Sequence, residues 1–529
     1  MDYVYDYVEV SSPEEFLSYC NRGYVYLFIP YDKMWDTFKM LRDFKDTNDV
    51  IKYHYYDFIN RYYYDCNFKD PLEKYNNEQK EFENNESPLL RIFASKELYN
   101  SGEKERCLKV LQQLEKEKFP LAYVDLAFYA RKEENNLKKA IKYYELAAKK
   151  GVRAAFYHLC SIYQDRKDLK RFRKYLTIAA DKGFATALYW LGVYLIGGTF
   201  GFEKDIDKGC DYLTKAARMG NNRAVITVAK YVRDGYGYEK NDAVFFQWAQ
   251  YAYKRHIDGS AFLIGQAYYH GDGVEINYEL AYKYFLEEYD KNQHATSSAY
   301  LGRMYLNGQW VEKDLDIATR YIKAAYEKED ETGTICYIEL LNEKQDYALS
   351  RKITLESCNK FPKSKAFFDF ACQIFYKGVG GPVDYNQAFI YGKKAHELGL
   401  ATYYYACCYL YGNGVAKNYS YGIKILKEAA EKNDVKTPQA LLGIAYALGW
   451  LDLTVDYVKA KEYLDNVFDY IDVLGSSYER LIYYAYGVIY LNYFKDRKKA
   501  KEFLEFVANN YNYEYAVEAL ANWDNITEL

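Results

Sequence analysis

Leu263-Ile264-Gly265-Gln266-Ala267-Tyr268-Tyr269-His270-Gly271-Asp272-Gly273-Val274 returns as Leu301-Gly302-Arg303-Met304-Tyr305-Leu306-Asn307-Gly308 and again as Leu442-Gly443-Ile444-Ala445-Tyr446-Ala447-Leu448-Gly449. A phrase that recurs at tens of residues is one structural unit copied, and a unit of that size cannot bury its apolar face without neighbours. The small residue of the phrase serves as a phase marker: Ala94, Ala127, Cys160, Gly192, Ala229, Gly265, Gly302, Cys372, Ala406, Gly443 and Gly487. Successive gaps are 33, 33, 32, 37, 36, 37, 70, 34, 37 and 44 residues. The gap of 70 is two periods, so a degenerate copy is expected over 332–361, with Tyr337-Ile338-Glu339-Leu340-Leu341 where the glycines have been lost.

Each copy reads as two amphipathic helices. Helix A carries Ala-x-x-x-Leu-Gly-x-x-Tyr, with apolar or small residues at the i, i+3, i+4, i+7 spacing of one buried stripe. Helix B ends in Lys-Ala-Ala, as at Lys215 to Ala217 and Lys323 to Ala325. Between them Gly-x-Gly, as Gly235 with Gly237 and Gly412 with Gly414, supplies backbone conformations that other residues resist. Gly151, Gly183, Gly220 and Gly399 are placed to close helix B. The A-to-B turns of the early copies, 131–136 and 165–168, lack glycine and accompany the shorter period.

The phrase L-G-x-x-Y-x-x-G-x-G-V and the K-A-A ending resemble the Sel-one-like repeat family, a branch of the tetratricopeptide-type helical solenoids. The match is best kept at 263–274, 301–311 and 405–415 and covers roughly 87–512. The resemblance implies a mostly α fold, a right-handed α/α superhelical solenoid of helix-turn-helix repeats over 86–512, with 513–529 as a C-terminal capping helix. It also implies an adaptor role, in which a protein or peptide partner lies on the concave face lined by helix A; the cytoplasm is the expected location because no secretory signal is visible. The variable letters of the phrase are then the candidate contacts: Lys230, Arg233, Gln266, Ala267, Arg303, Met304, Tyr403 and Tyr404. Ordinary surface positions are the competing reading of the same residues.

Residues 1–85 do not speak the phrase. The β-branched and aromatic stretches 3–10 and 23–30 flank a capping-box pattern at Ser12-Pro13-Glu14-Glu15, which reads as a small α/β module. A second functional reading makes that module an enzymatic or sensing domain that the solenoid delivers. A third has a small molecule or glycan stacked along a tyrosine-rich groove, since Tyr numbers 65 and aromatics reach 19% of the 529 residues. Core packing is the plainer account of that richness.

Other chemistry finds little support. A net charge of -4 gives no electrostatic footprint for nucleic acid. The run Arg166, Lys167, Lys170, Arg171, Arg173, Lys174 reads as a solvated helix face that could dock an acidic partner. No secretory leader is visible and the longest apolar stretch, 440–451, is too short to cross a bilayer. The 10 Cys and 6 His show no metal-ligand spacing, so no metal or cofactor is expected. Ser357-Cys358-Asn359-Lys360 is an isolated S-x-x-K without its companion motifs. These readings point to a scaffold and not to an enzyme.

Overall fold

The computed structural model describes residues 82–432 and 436–528, and the chain forms two compact units that divide between Asp290 and Lys291. Among the described residues there are 26 α-helices and no strand. The α/β module expected for residues 1–85 falls almost wholly on 1–81, outside the described residues.

The first unit holds six helical hairpins, each an A helix followed by a B helix: α1 (Pro88–Asn100) with α2 (Lys104–Lys116), α3 (Ala122–Lys132) with α4 (Leu137–Lys149), α5 (Arg153–Asp165) with α6 (Leu169–Asp181), α7 (Ala185–Gly197) with α8 (Ile206–Arg218), α9 (Asn222–Asp234) with α10 (Asp242–Lys254), and α11 (Ser260–His270) with α12 (Tyr278–Asn292). The second holds six more: α13 (Ala295–Asn307) with α14 (Leu315–Glu327), α15 (Glu331–Glu343) with α16 (Tyr347–Lys360), α17 (Lys365–Lys377) with α18 (Tyr385–Glu397), α19 (Tyr403–Tyr411) with α20 (Tyr419–Lys432), α21 (Lys436–Leu448) with α22 (Tyr457–Phe468), and, after the one-turn α23 (Ile471–Leu474), α24 (Ser476–Asn492) with α25 (Arg497–Tyr511). The helix α26 (Glu514–Ala521) sets Ala516 and Ala519 against Leu504 and Val507 of α25. Every phase marker lies in an A helix, and the degenerate copy is the hairpin α15–α16.

The marker must be small because helix B crosses there. A Cβ added to Gly302 would sit 2.5 Å from Ile322 Cγ1 and 3.1 Å from the Ala318 carbonyl oxygen, and one at Gly443 would sit 2.7 Å from Leu464. Where helix A carries the larger Cys372 instead, the missing volume moves to helix B: a Cβ on Gly392 would meet Cys372 Sγ at 3.0 Å. Smallness therefore belongs to the crossing and not to one helix.

The turn length explains the two periods. The turn from α11 to α12 takes seven residues, Gly271 to Asn277, whereas that from α5 to α6 takes three, Arg166 to Asp168. Short turns still need one left-handed residue, which Asn135 (φ 50°) and Lys167 (φ 57°) supply without glycine. The long turn is different. Gly273 (φ 75°) is pressed on the start of the preceding B helix, where a Cβ would lie 2.6 Å from the Asp242 carbonyl carbon, and Gly414 stands equally close to Tyr385. At these positions both the positive φ and the close approach demand glycine.

Two regularities were not read from the sequence. First, every B helix from α4 to α25 starts on Asn or Asp. Asn136, Asp168, Asp205, Asn241, Asp346, Asp384, Asp456 and Asp496 cap their helices by accepting from the backbone N–H three residues on, as do Asn277 at 2.9 Å, Asp314 at 2.8 Å and Asn418 at 3.0 Å. Each such cap contributes about 1 kcal/mol by satisfying a donor that the helix leaves open. Second, the motif aromatic stacks on an aromatic of helix B, buried at Tyr163 and Tyr446 and half-buried at Tyr268, Tyr305, Phe375 and Tyr490. The pairs Tyr163–Tyr175, Tyr268–Tyr284, Tyr305–Tyr321, Phe375–Tyr391, Tyr446–Tyr463 and Tyr490–Phe503 have interplanar angles of 4°, 1°, 10°, 7°, 5° and 14°. Part of the tyrosine richness is thus a rung that joins A to B in copy after copy.

Candidate binding face of the A helices

Packing fixes most letters of the A helix, and the position after the marker varies most in chemistry. That slot is polar as Lys230 on α9, Gln266 on α11, Arg303 on α13, Glu339 on α15 and Gln373 on α17, and is a buried Cys407, Ile444 or Val488 on α19, α21 and α24. In the second unit the consecutive A helices α13 and α15, α17 and α19, and α21 and α24 lie against one another, and among the described residues no consecutive pair of B helices is packed as closely. Equivalent slots of adjacent copies can then touch.

In the first unit, Lys230 is open to solvent, yet crowding by protein and the charge of Arg233 draw its pKa below the ordinary lysine value. Arg233 donates to Gln266 Oε1 at 2.5 Å and pairs with Asp234 at 2.9 Å. Gln266 is 8% exposed and Ala267 is fully buried. In the second unit, Arg303 grips Glu339 with two bonds of 3.0 Å, a fork-to-carboxylate pair between neighbouring A helices. Met304 is 0% exposed and faces the core, because it lies on the stripe that packs against helix B. It is therefore no surface contact, and only the residues beside it remain candidates.

Tyr403 and Tyr404 open α19 with half-buried rings. The hydroxyls of Tyr403 and Tyr478 meet at 2.6 Å, which joins α19 to α24 across the copy between them, and burial raises the pKa of both phenols. Tyr404 packs on Tyr376 at 5.3 Å under Lys377, whose Nζ is 5.2 Å from the Tyr404 ring centre. Asn413 donates to Tyr376 Oη at 2.9 Å. Burial lifts Asp369, on the same A-helix row, to about 6 against a bond from Thr402. Nothing in the sequence reading singled out Tyr478, Tyr376 or Asp369, whose importance arises only when copies far apart in sequence are stacked.

The remaining motifs resolve into structure. Ser357 of the S-x-x-K tetrapeptide is 3% exposed inside α16, while Lys360 pairs with Glu329 at 2.8 Å. The stretch Gly378 to Gly381 is the α17–α18 turn. His158 stacks on Tyr144 at 4.7 Å, and burial lowers its pKa. Burial raises the thiols of Cys336, Cys358 and Cys407 to about 12, which keeps them neutral and unreactive at ordinary pH. Among the described residues no His, Cys, Asp and Glu gather as a metal site, and no helix is long and apolar enough to cross a membrane.

The Sel1 repeat family profile matches seven segments, 121–152, 185–221, 259–287, 295–330, 370–400, 399–434 and 439–465. The chain carries seven Sel1 repeats. The Sel1 profile passes over α5–α6, α9–α10 and α15–α16, which nevertheless fold as hairpins in register with the matched copies. Among solved structures, a protective antigen of uropathogenic Escherichia coli strains displaying an SLR fold is 18% identical, with 86% of this chain and 98% of that one covered at a TM-score of 0.50. A Sel1 repeat protein from Oxalobacter formigenes is 20% identical over 53% of this chain and 96% of its own, at a TM-score of 0.28. No curated protein matches the chain. The first likeness supports the same fold, a solenoid of Sel1-type helical repeats.

Proposed function

We propose that this protein is a scaffold that binds a protein or peptide partner along the concave side of its A helices and carries out no catalytic step of its own. The observation that carries the reading is the slot after the phase marker. One geometric position, repeated at the spacing of the copies, holds Lys230 and Gln266 within the first unit and Arg303, Glu339 and Gln373 within the second, while the packing letters around it stay small or apolar. A row of differing side chains on a fixed backbone is the arrangement by which a repeat protein reads an extended partner. The seven Sel1 repeats support it, since such scaffolds typically serve protein–protein interaction. Lys230, Tyr403 and Tyr404 are the anchors chosen here, the tyrosines because half-buried aromatic rings give large contact area at low entropic cost. Arg303 sets the local charge through Glu339 and serves as a positioning residue.

The test is affinity capture with three full-length proteins: the native chain, an A-face variant (Lys230→Glu with Tyr404→Ala), and a B-face variant (Lys170→Glu with Lys174→Glu). Circular dichroism and melting temperature establish that all three are folded. A partner retained by the native and B-face proteins and lost by the A-face variant supports the proposal. Retention by the A-face variant with loss from the B-face variant overturns it and moves the interface to the basic surface of α6.

A further inference from the structure

Between the A helices α1 and α3, with α2 as its floor, lies a cavity of about 280 Å³. Its walls are aromatic: Tyr99 and Phe128 meet edge to face at 5.3 Å, and Tyr99 and Tyr129 at 6.3 Å. Cys107 and Leu111 of α2, both buried, close the bottom. One carboxylate faces this space, that of Asp125, and among the described residues no hydrogen-bond donor reaches it. The other titratable groups facing the cavity are Lys96 and Tyr99 on α1, Cys107 on α2 and Tyr129 on α3 itself.

Burial pushes the Asp125 carboxyl up to about 6, and Lys96 pulls it the other way without offsetting the loss of water. At neutral pH this half-buried carboxylate is then mostly ionised and only partly solvated, which is the state that a cation relieves. The remaining groups add no competing anion: the Tyr99 phenol, donating to Glu133 at 2.6 Å, and the Cys107 thiol are both raised to about 12. Phe128 is 38% exposed, so its ring offers a face to an arriving molecule. Aromatic faces around a half-buried carboxylate form an arrangement that recognises organic cations, with the rings covering methylenes and attracting the charge.

We propose that this cavity receives a basic side chain of a partner polypeptide, with its ammonium or guanidinium against Asp125 and its methylenes against Tyr99, Phe128 and Tyr129. The proposal deepens the scaffold reading by naming the chemistry of one anchor. It rests on that reading for the guest being part of a polypeptide, while the pocket itself is testable without a partner.

The experiment titrates the full chain with N-acetyl-lysine amide, N-acetyl-arginine amide and the uncharged N-acetyl-norleucine amide, followed by ligand-observed NMR. Expected is saturable binding of the two cations and at least tenfold weaker binding of norleucine. Asp125→Asn, which removes the charge at a half-buried position and keeps the side chain's shape, should stay folded and lose the cation preference. Phe128→Ala, at an exposed position, should weaken both cations several-fold. Equal binding of lysine and norleucine amides, undiminished binding to Asp125→Asn, or no saturable binding of either cation overturns the proposal. If the cations bind but no partner survives the capture experiment above, the scaffold reading fails and the pocket stands as a small-cation site.

Discussion

Gly273→Ala and Gly183→Ala form a matched pair, because both place one methyl at nearly the same backbone conformation in the first unit, φ 75° and φ 77°. At Gly183 a Cβ would meet nothing within 4 Å, so the substitution reports backbone strain alone. A left-handed residue with a Cβ costs about 1 kcal/mol. At Gly273 the same methyl would lie 2.6 Å from the Asp242 carbonyl carbon and 2.8 Å from Ala243 Cα, both of them backbone atoms in the first turn of α10. A helix start cannot rotate away as a side chain can, and relieving the overlap means retreating by roughly 0.8 Å, an overpacking cost of about 2 kcal/mol on top of the strain. Urea unfolding followed by circular dichroism should therefore give losses of about 1 kcal/mol for Gly183→Ala and about 3 kcal/mol for Gly273→Ala. Amide exchange by mass spectrometry should speed up over α9 to α12 only in the latter, since a repeat stack opens locally. Equal losses would mean that the second glycine of the turn serves conformation only, and the account of the long turn would be wrong.

A double-mutant cycle on Tyr268→Ala and Tyr284→Ala should reveal a coupling of about 1 kcal/mol if the stacked rung is real, and none if each ring merely covers apolar surface. Asp314→Ala should cost about 1 kcal/mol in unfolding and Asp314→Asn much less, because the amide oxygen can still cap α14. Arg303→Glu and Glu339→Arg should each destabilise by about 1 kcal/mol or less, and the double reversal should recover most of it; failure to recover would deny the fork between the two A helices. For Asp125 the pKa sign sets the pH dependence. Its folded pKa of about 6 lies above the unfolded value, so the native state binds the proton more tightly, and the stabilisation present at low pH is lost as pH rises through 6. Melting temperatures of native protein and Asp125→Asn should accordingly converge near pH ~4, with the variant the more stable at pH ~7.

The fold was largely legible in the sequence because its unit is short and its signals are local: the marker, the glycine turns and the doubled gap placed every A helix, the degenerate α15–α16 included. What stayed hidden was relational. The Asn or Asp that opens each B helix stands at differing distances from the motif glycines, since the turns vary from three to eight residues, and so it escaped a fixed phrase. Met304 occupies a variable letter, which in sequence reads as surface, yet that letter is fully buried. Asp125 carries no motif at all. Its character comes from Tyr99 and Cys107, residues of another hairpin, and only stacking brings them together. Tyr403 and Tyr478 are likewise 75 residues apart and meet across an intervening copy.

That a crossing needs one small residue, on either helix, bears on how such a chain could be shuffled. An exchange made between copies carries both sides of a crossing along, glycine and its bulky neighbour together. An exchange made within a hairpin, joining α13 to α18 for example, would set Gly302 opposite Gly392 and leave a hole, while the reciprocal product would set Cys372 against Ile322 and crowd it. The hairpin, and not the single helix, is the smallest piece of this protein that recombination can move without damage.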